Sequence, residues 1–242
     1  NAMRSSPTIG TSSATVVSLD FNSDPGWTVV NDPSLTTGAW ERVTPLNPSA
    51  GTGAPATAFG GSGMCWVTDN RSGNFDVDGG PTTLLSSIYD LSAYPRVTVS
   101  YQRWLYSSGS DPWTFQYSTN GGTTWTILES VAGTASAAWT AKSFDIAAPT
   151  STMRFRWTLS DNPNDSVAEG GLDQFAITGL ICPSGCYANC DGSTSAPVLN
   201  VNDFVCFQNL YAAGSAAANC DGSTTAPVLN VNDFICYQNK YA

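Results

Sequence analysis

"RVTVSYQRWLY", Arg96–Tyr106, changes side-chain character at every step. Val97, Val99, Tyr101 and Arg103 fall on one face, and Thr98, Ser100, Gln102 and Trp104 on the other. A period of two is the repeat of a strand; a helix would bring apolar groups back every third or fourth residue. One face of this segment therefore turns to a core. "MRFRWTL", Met153–Leu159, repeats the pattern with Met153, Phe155, Trp157 and Leu159 on one side. Outward from these, "VVSLDF", "GWTVV", "MCWVT", "TTLLSS", "TFQYS", "TWTILES", "KSFDI" and "LDQFAIT" are short, β-branched and aromatic runs separated by Gly, Pro, Asn and Asp. About ten such segments from Thr15 to Leu180, with no helical stripe among them, predict an antiparallel β-sandwich.

The clearest hairpin is "QYSTNGGTTWTIL", Gln116–Leu128, turning at Asn120-Gly121-Gly122, residues that take positive φ at low cost. Its centre, Ser118–Trp125, resembles the Asp-box hairpin of sialidases. As a single copy without a propeller repeat, it reads as a stable turn with Trp125 packed beneath it.

Beyond Ile181 the period changes. Ala188–Ala212 and Ala218–Ala242 are identical at 21 of 25 positions, differing at Ser195/Thr225, Val205/Ile235, Phe207/Tyr237 and Leu210/Lys240. This is an internal duplication. Phe204, Phe207 and Tyr211 recur at i, i+3 and i+7, as do Phe234, Tyr237 and Tyr241, which predicts two short helices with one apolar face each. The organisation expected is a tag-derived, disordered N-terminus over 1–14, a sandwich over 15–180 and a duplicated loop–helix unit over 181–242.

Each repeat begins with oxygen-bearing side chains at every second position. A calcium loop needs six to eight hard oxygens converging on one ion, supplied from positions 1, 3, 5, 7, 9 and 12. Asn189, Asp191 and Ser193 match positions 1, 3 and 5; counting back from the helix, Asp203 matches 12 and Asn200 matches 9. The second copy supplies Asn219, Asp221, Ser223, Asn230 and Asp233. Both loops are three residues longer than the usual loop, around Ser195-Ala196-Pro197 in the first copy. An identical departure in both halves reads as a variant loop. The alternative is that Asn and Asp cap and turn the chain ahead of a helix. With two carboxylates per site, an affinity of about 10⁻⁵ to 10⁻³ M is expected, suited to a structural metal in an extracellular setting.

Six of the seven cysteines lie beyond position 180. Cys190 and Cys206 are 16 apart, as are Cys220 and Cys236, so each pair would staple a loop to the helix that follows. Cys182 would then pair with Cys186, leaving Cys65 free in the sandwich. Six cysteines allow 15 connectivities, and this one is preferred because it respects the repeat. Zinc is disfavoured by the lack of paired CxxC knuckles and of any histidine.

The rest of the composition narrows the function. A net charge of −10 with only nine Lys and Arg excludes the broad cationic surface that nucleic acid requires. The chain has no histidine, the commonest general base, and three glutamates, so an enzyme is not expected. No apolar run reaches a membrane span. Cysteine usage points to a secreted or cell-surface protein.

The tandem, in the form "NCDGSTTAPVLNVNDFxCxxN", resembles a type I dockerin, and in its cysteines looks like the dockerin-like tails of planctomycete secreted proteins. The resemblance covers about 186–242. It implies that two Ca²⁺ ions fold the module and that a helix face binds a cohesin-like protein. The recognition positions it implies are Val201, Asn202, Val231 and Asn232. Asn at position 1 and the insertion depart from the family pattern. More loosely, "LDFNSDPGWTV", "GAWERV", "YSTNGGTTWT" and "GGLDQFAITG" resemble the jelly-roll modules of the MAM-like and cleaved-adhesin group. That likeness implies first and last strands lying close together and sharing a structural calcium, with Asp20, Asn22 and Asp173 as ligands. Asn22 stands where the family more often has Glu.

The reading that follows is a non-catalytic adhesion or carbohydrate-binding module on a calcium-dependent attachment tail. Its partners would be a cohesin-like protein or a cell-surface component, and a polysaccharide. Sugar binding needs exposed rings beside polar groups, and Trp113 and Tyr106, next to turns, are the candidates. A purely structural surface protein is the first alternative. A glycoside hydrolase using carboxylate pairs, with "DNPNDSVAEGG" (Asp161–Gly171) as its loop, is the second.

Overall fold

In the computed structural model, residues 12–46, 53–73, 75–133, 137–181, 187–194 and 197–241 are described. The alternating segments form strands: β1 (Ser12–Leu19), β2 (Thr28–Asn31), β3 (Trp40–Val43), β4 (Cys65–Thr68), β5 (Gly79–Leu85), β6 (Arg96–Ser107), β7 (Pro112–Ser118), β8 (Thr126–Ala132), β9 (Thr140–Ala147), β10 (Arg154–Asp161) and β11 (Ala168–Ile181). They pair antiparallel into two sheets, β3-β4-β11-β6-β9 and β2-β5-β10-β7-β8. β1 pairs with β11 from Ser12↔Ile181 to Leu19↔Phe175, so the first and last strands are neighbours, as the adhesin-like resemblance implies. The chain is mainly β, an antiparallel sandwich followed by helices.

The period-two faces face as the sequence predicts. Val97, Val99 and Tyr101 on β6, and Phe155, Trp157 and Leu159 on β10, are all buried. Trp157 is the centre of the core: Trp27 stacks on one side at 5.1 Å and Phe115 stacks at 5.0 Å, while Phe175 meets it edge-on at 5.6 Å. Such offset and edge contacts suit the quadrupoles of aromatic rings. Arg103 also lies on the buried face. It is accommodated by Glu129 of β8, which accepts from Arg103 Nη1 at 2.5 Å and from the Tyr101 hydroxyl at 2.9 Å. Lys142 Nζ of β9 lies 3.3 Å from the same carboxylate. β8 and β9 are the outermost strands on one side of the two sheets, so this cluster closes the sandwich with charge.

After the strands come α1 (Val201–Ala212), a short 3₁₀ turn at Ala216–Ala218, and α2 (Val231–Tyr241). Phe207 and Tyr237 are buried between the helices, with Phe204, Tyr211, Phe234 and Tyr241 packed around them. The disulfides are Cys190–Cys206 and Cys220–Cys236, each with Cα atoms 5.7 Å apart. Cys65 is a buried free thiol. Cys182 and Cys186 lie outside the described residues. No described helix is long and apolar enough to cross a membrane.

Candidate calcium loops and binding surfaces

Each repeat loop is organised from its carboxylates. In the first, Asp191 Oδ1 accepts from Ser193 N at 2.9 Å, an Asx turn. Asp203 is fully buried, and its two oxygens accept from Asp191 N at 3.2 Å and from Asn200 N at 2.8 Å. The long loop thus closes: residues at its two ends meet although 12 positions separate Asp191 from Asp203. The second loop repeats this, with Asp221 Oδ1 accepting from Ser223 N at 2.8 Å and Asp233 accepting from Asp221 N at 3.3 Å and Asn230 N at 2.8 Å. Ser195 and Ala196 of the first insertion lie outside the described residues.

Part of this is helix capping. Asn200 is the N-cap of α1, its side-chain oxygen accepting from Asn202 N at 2.8 Å, and Asp203 completes a capping box. Asn230 accepts from Asn232 N in the same way at 2.9 Å. Asn200 and Asn230 also donate to Pro197 O and Pro227 O at 3.2 Å. Ser193 Oγ and Ser223 Oγ donate to Val198 O and Val228 O at 3.1 and 2.8 Å, leaving hydroxyl lone pairs for a further donor or cation.

Capping does not account for the first residue of each loop. Asn189 Nδ2 donates to Ser193 O at 2.8 Å and Asn219 Nδ2 to Ser223 O at 2.8 Å, which fixes both amide orientations. Asn189 Oδ1 and Asn219 Oδ1 are then buried with no hydrogen-bond partner among the described residues. A buried acceptor without a donor is costly, and the same atom is orphaned in both copies. Burial also raises the pKa of Asp203, with the neighbouring Asp191 carboxylate adding to the effect. An orphaned amide oxygen in a loop that also holds a carboxylate resisting ionisation is what a hard cation relieves. The donor set of Asn189, Asp191, Ser193 and Asp203, like that of Asn219, Asp221, Ser223 and Asp233, fits such an ion.

The positions that the dockerin resemblance assigns to partner recognition are on the surface. Val201 is 69% exposed and Val231 67%, and Asn202 and Asn232 are exposed beside them. One helical turn on, Val205 and Ile235 are also exposed. These two were missed in the sequence, although their i+4 spacing from Val201 and Val231 places them on the same face.

The sandwich candidates divide. Asp173 is buried, its oxygens accepting from Phe59 N at 2.9 Å and Gln174 N at 2.7 Å. Burial, with a smaller contribution from the charge of Asp20, raises its pKa to about 6. Asp20 is exposed and accepts from Asn22 N at 3.0 Å and Asn22 Nδ2 at 2.9 Å, while Asn22 Oδ1 accepts from Met64 N at 3.0 Å.

Trp113 is a correction. It is 0% exposed, packed edge-on against Trp40 at 5.7 Å, because β7 turns its odd-numbered residues to the core. It offers no ring to a sugar. Tyr106 is half-buried on the outer face of β6, under a covering segment: a Cβ on Gly53, which has φ +82°, would lie 2.3 Å from the Tyr106 ring. Trp104 and Trp139 donate to Gly53 O and Thr57 O at 2.7 and 3.1 Å, holding that segment in place.

The sequence reading did not bring together a group of acids around the buried Asp161, of which Asp76 is also buried and Asp165 exposed. Carboxylate oxygens of Asp76, Asp78 and Asp161 lie within 4.8 Å of one another, as do those of Asp111, Asp161 and Asp165. Asp161 is held by Ser166 N at 3.2 Å and Ser166 Oγ at 3.0 Å, which accounts for "DNPNDS" as a self-bonded loop. Burial pushes Glu169 up to about 9, so it is a neutral acid accepting from Thr68 Oγ1 at 2.9 Å.

No protein-family model and no curated protein matches the chain. Among solved structures, it is similar to the K3 cleaved adhesin domain of Lys-gingipain from Porphyromonas gingivalis, at 17% identity and a TM-score of 0.46, covering 69% of this chain and 100% of that one. It is also similar to TmCBM61 in complex with β-1,4-galactotriose, at 14% identity and a TM-score of 0.40, covering 63% of this chain and 87% of that one. No residue's role is taken from either.

Proposed function

We propose that the chain is a non-catalytic, secreted or cell-surface protein in which a carbohydrate-binding or adhesive sandwich, about 15–180, carries a calcium-dependent, dockerin-like attachment tail, about 181–242. The observation that carries the tail's role is the pair of orphaned, buried oxygens, Asn189 Oδ1 and Asn219 Oδ1, at equivalent places in two loops that differ only at Ser195/Thr225. A calcium ion in each loop gives these oxygens a partner, and in the first loop it favours the ionised form of Asp203, whose pKa burial raises. The exposed Val201 and Val231, with Asn202 and Asn232, form the duplicated surface offered to a cohesin-like partner. Two disulfides support an oxidising compartment.

The test is thermal unfolding of the full chain, followed by far-ultraviolet circular dichroism at 222 nm, in EGTA and in excess calcium. Calcium is expected to raise the midpoint of the helical transition. Superimposable melts at millimolar calcium would leave a disulfide-stapled helix pair and remove the metal from the account.

A further inference from the structure

The outer face of the five-stranded sheet departs from the charge of the rest of the molecule. β10 turns Phe155, Trp157 and Leu159 inward, so Arg154, Arg156 and Thr158 point outward. Register places Gln116 beside Arg156 and Thr114 beside Thr158 on β7, and Thr83 beside Thr158 on β5. A row of hydroxyls, Thr83–Thr158–Thr114, therefore runs across three strands next to the guanidinium of Arg156. Thr83 Oγ1 and Thr158 Oγ1 lie 3.1 Å apart.

The strands of this sheet contain two acids, Glu129 and Asp161, and neither shares this face. Glu129 pairs in register with the buried Phe115 and turns to Arg103; Asp161 is fully buried. In a chain of 19 acidic and nine basic residues, two arginines thus stand on a face whose own strands supply no carboxylate. The ion pairs among the described residues use Arg71, Arg103 and Lys142, leaving Arg154 and Arg156 without one. Both are nonetheless held in place. Arg156 Nε donates to Gln116 Oε1 at 2.7 Å, and its guanidinium lies 4.2 Å from the centre of the Trp125 ring. Arg154 Nε donates to Ser86 O at 3.0 Å. Each bond uses Nε and leaves terminal N–H groups, which form the fork that pairs with a carboxylate.

We propose that this face binds an acidic polysaccharide, a chain bearing uronic acids, with Arg156 and Arg154 taking its carboxylates and the threonine row with Gln116 taking its hydroxyls. The inference rests on the carbohydrate-binding reading of the sandwich and names the class of sugar. Neighbouring strands lie about 4.8 Å apart, so the threonine row spans about 10 Å, room for about two sugar rings. Two cations are too few for the many phosphate contacts of nucleic acid, whereas a polyhydroxylated ligand also uses the neutral groups between them. The stacked, pre-held guanidinium of Arg156 lowers the ordering cost of a bidentate pair.

The test is binding of the full chain to oligogalacturonides too short to gel with calcium. The comparison ligand is the same oligosaccharides after methyl esterification, which removes the charge, adds one methyl group per carboxyl and leaves the hydroxyls unchanged. The account predicts that the acid form binds at least about tenfold more tightly, with the preference weakening as salt rises. Arg156→Gln is expected to abolish the preference and Arg154→Gln to reduce it, both with the near-ultraviolet circular dichroism of the folded sandwich retained. Equal binding of the acid and esterified forms, unaffected by Arg156→Gln, would overturn this inference while leaving the carbohydrate reading standing. Binding of neither form would count against both. Equal binding to double-stranded DNA, lost in the same variants, would overturn the polysaccharide assignment in favour of an unspecific anion stripe.

Discussion

Phe207 of α1 and Tyr237 of α2 stack nearly parallel, with ring centroids 4.1 Å apart, at equivalent positions of the two repeats. The repeats differ at only four places, and this is one of them. The difference has a physical reason. Tyr237 Oη donates to Ala188 O at 3.1 Å, joining the second helix to the start of the first loop, a bond Phe207 cannot make in return. Tyr237→Phe is therefore expected to destabilise the helix pair by about 1 kcal/mol, the net value of one hydrogen bond. Tyr237→Ala should cost about 3–5 kcal/mol. Chemical denaturation read by near-ultraviolet circular dichroism checks the order of the two.

The charge cluster at the sandwich edge makes a second prediction. Glu129→Ala leaves Arg103 buried without its counter-charge, and an expected loss of about 3–5 kcal/mol follows. Replacing both, as Glu129→Leu with Arg103→Met, removes the desolvation penalty together with the attraction. That double variant should be more stable than Glu129→Ala alone, measured by urea midpoint and slope. A double variant as unstable as the single one would mean that the cluster stabilises through packing.

Glu169 sets a pH dependence. Its folded pKa is raised to about 9 by burial, well above the ordinary value of a glutamic acid. The folded state therefore keeps a proton that the unfolded state has lost, and stability falls as pH rises from about 4.5 towards 9. Glu169→Gln keeps an acceptor for Thr68 Oγ1 and carries no titratable proton. Its melting temperature should exceed that of the parent at pH 8 and approach it near pH 5.

The disulfides make a fourth prediction. Each joins residues 16 apart, which in the chain-entropy description stabilises by about 3 kcal/mol. Reduction should melt the helices while leaving the tryptophan core of the sandwich intact. Far- and near-ultraviolet circular dichroism report the two separately.

Much of the fold was legible because two periods carry it. The alternation in Arg96–Tyr106 and Met153–Leu159 assigns inside and outside correctly, and the 21 identities mark the helical tail. Trp113 was misread because a ring beside a turn is exposed only if its strand phase allows it, and the phase of β7 is fixed by its pairing with β10. The Arg103–Glu129 pair joins residues 26 apart from different sheets, a contact that no local pattern carries. The loops were legible in their donor types. Which oxygens cap a helix and which stay orphaned depends on hydrogen bonds that only the folded loop displays.

The assignment of the orphaned asparagine oxygens as calcium ligands fixes the number of ions the chain holds. It is tested most directly by calorimetric titration of calcium into the EGTA-treated full chain and into the double variant Asn189→Leu, Asn219→Leu, with disulfides intact. The number of bound ions is expected to fall by two in the variant. An unchanged number, or no binding to the parent at millimolar calcium, would contradict it.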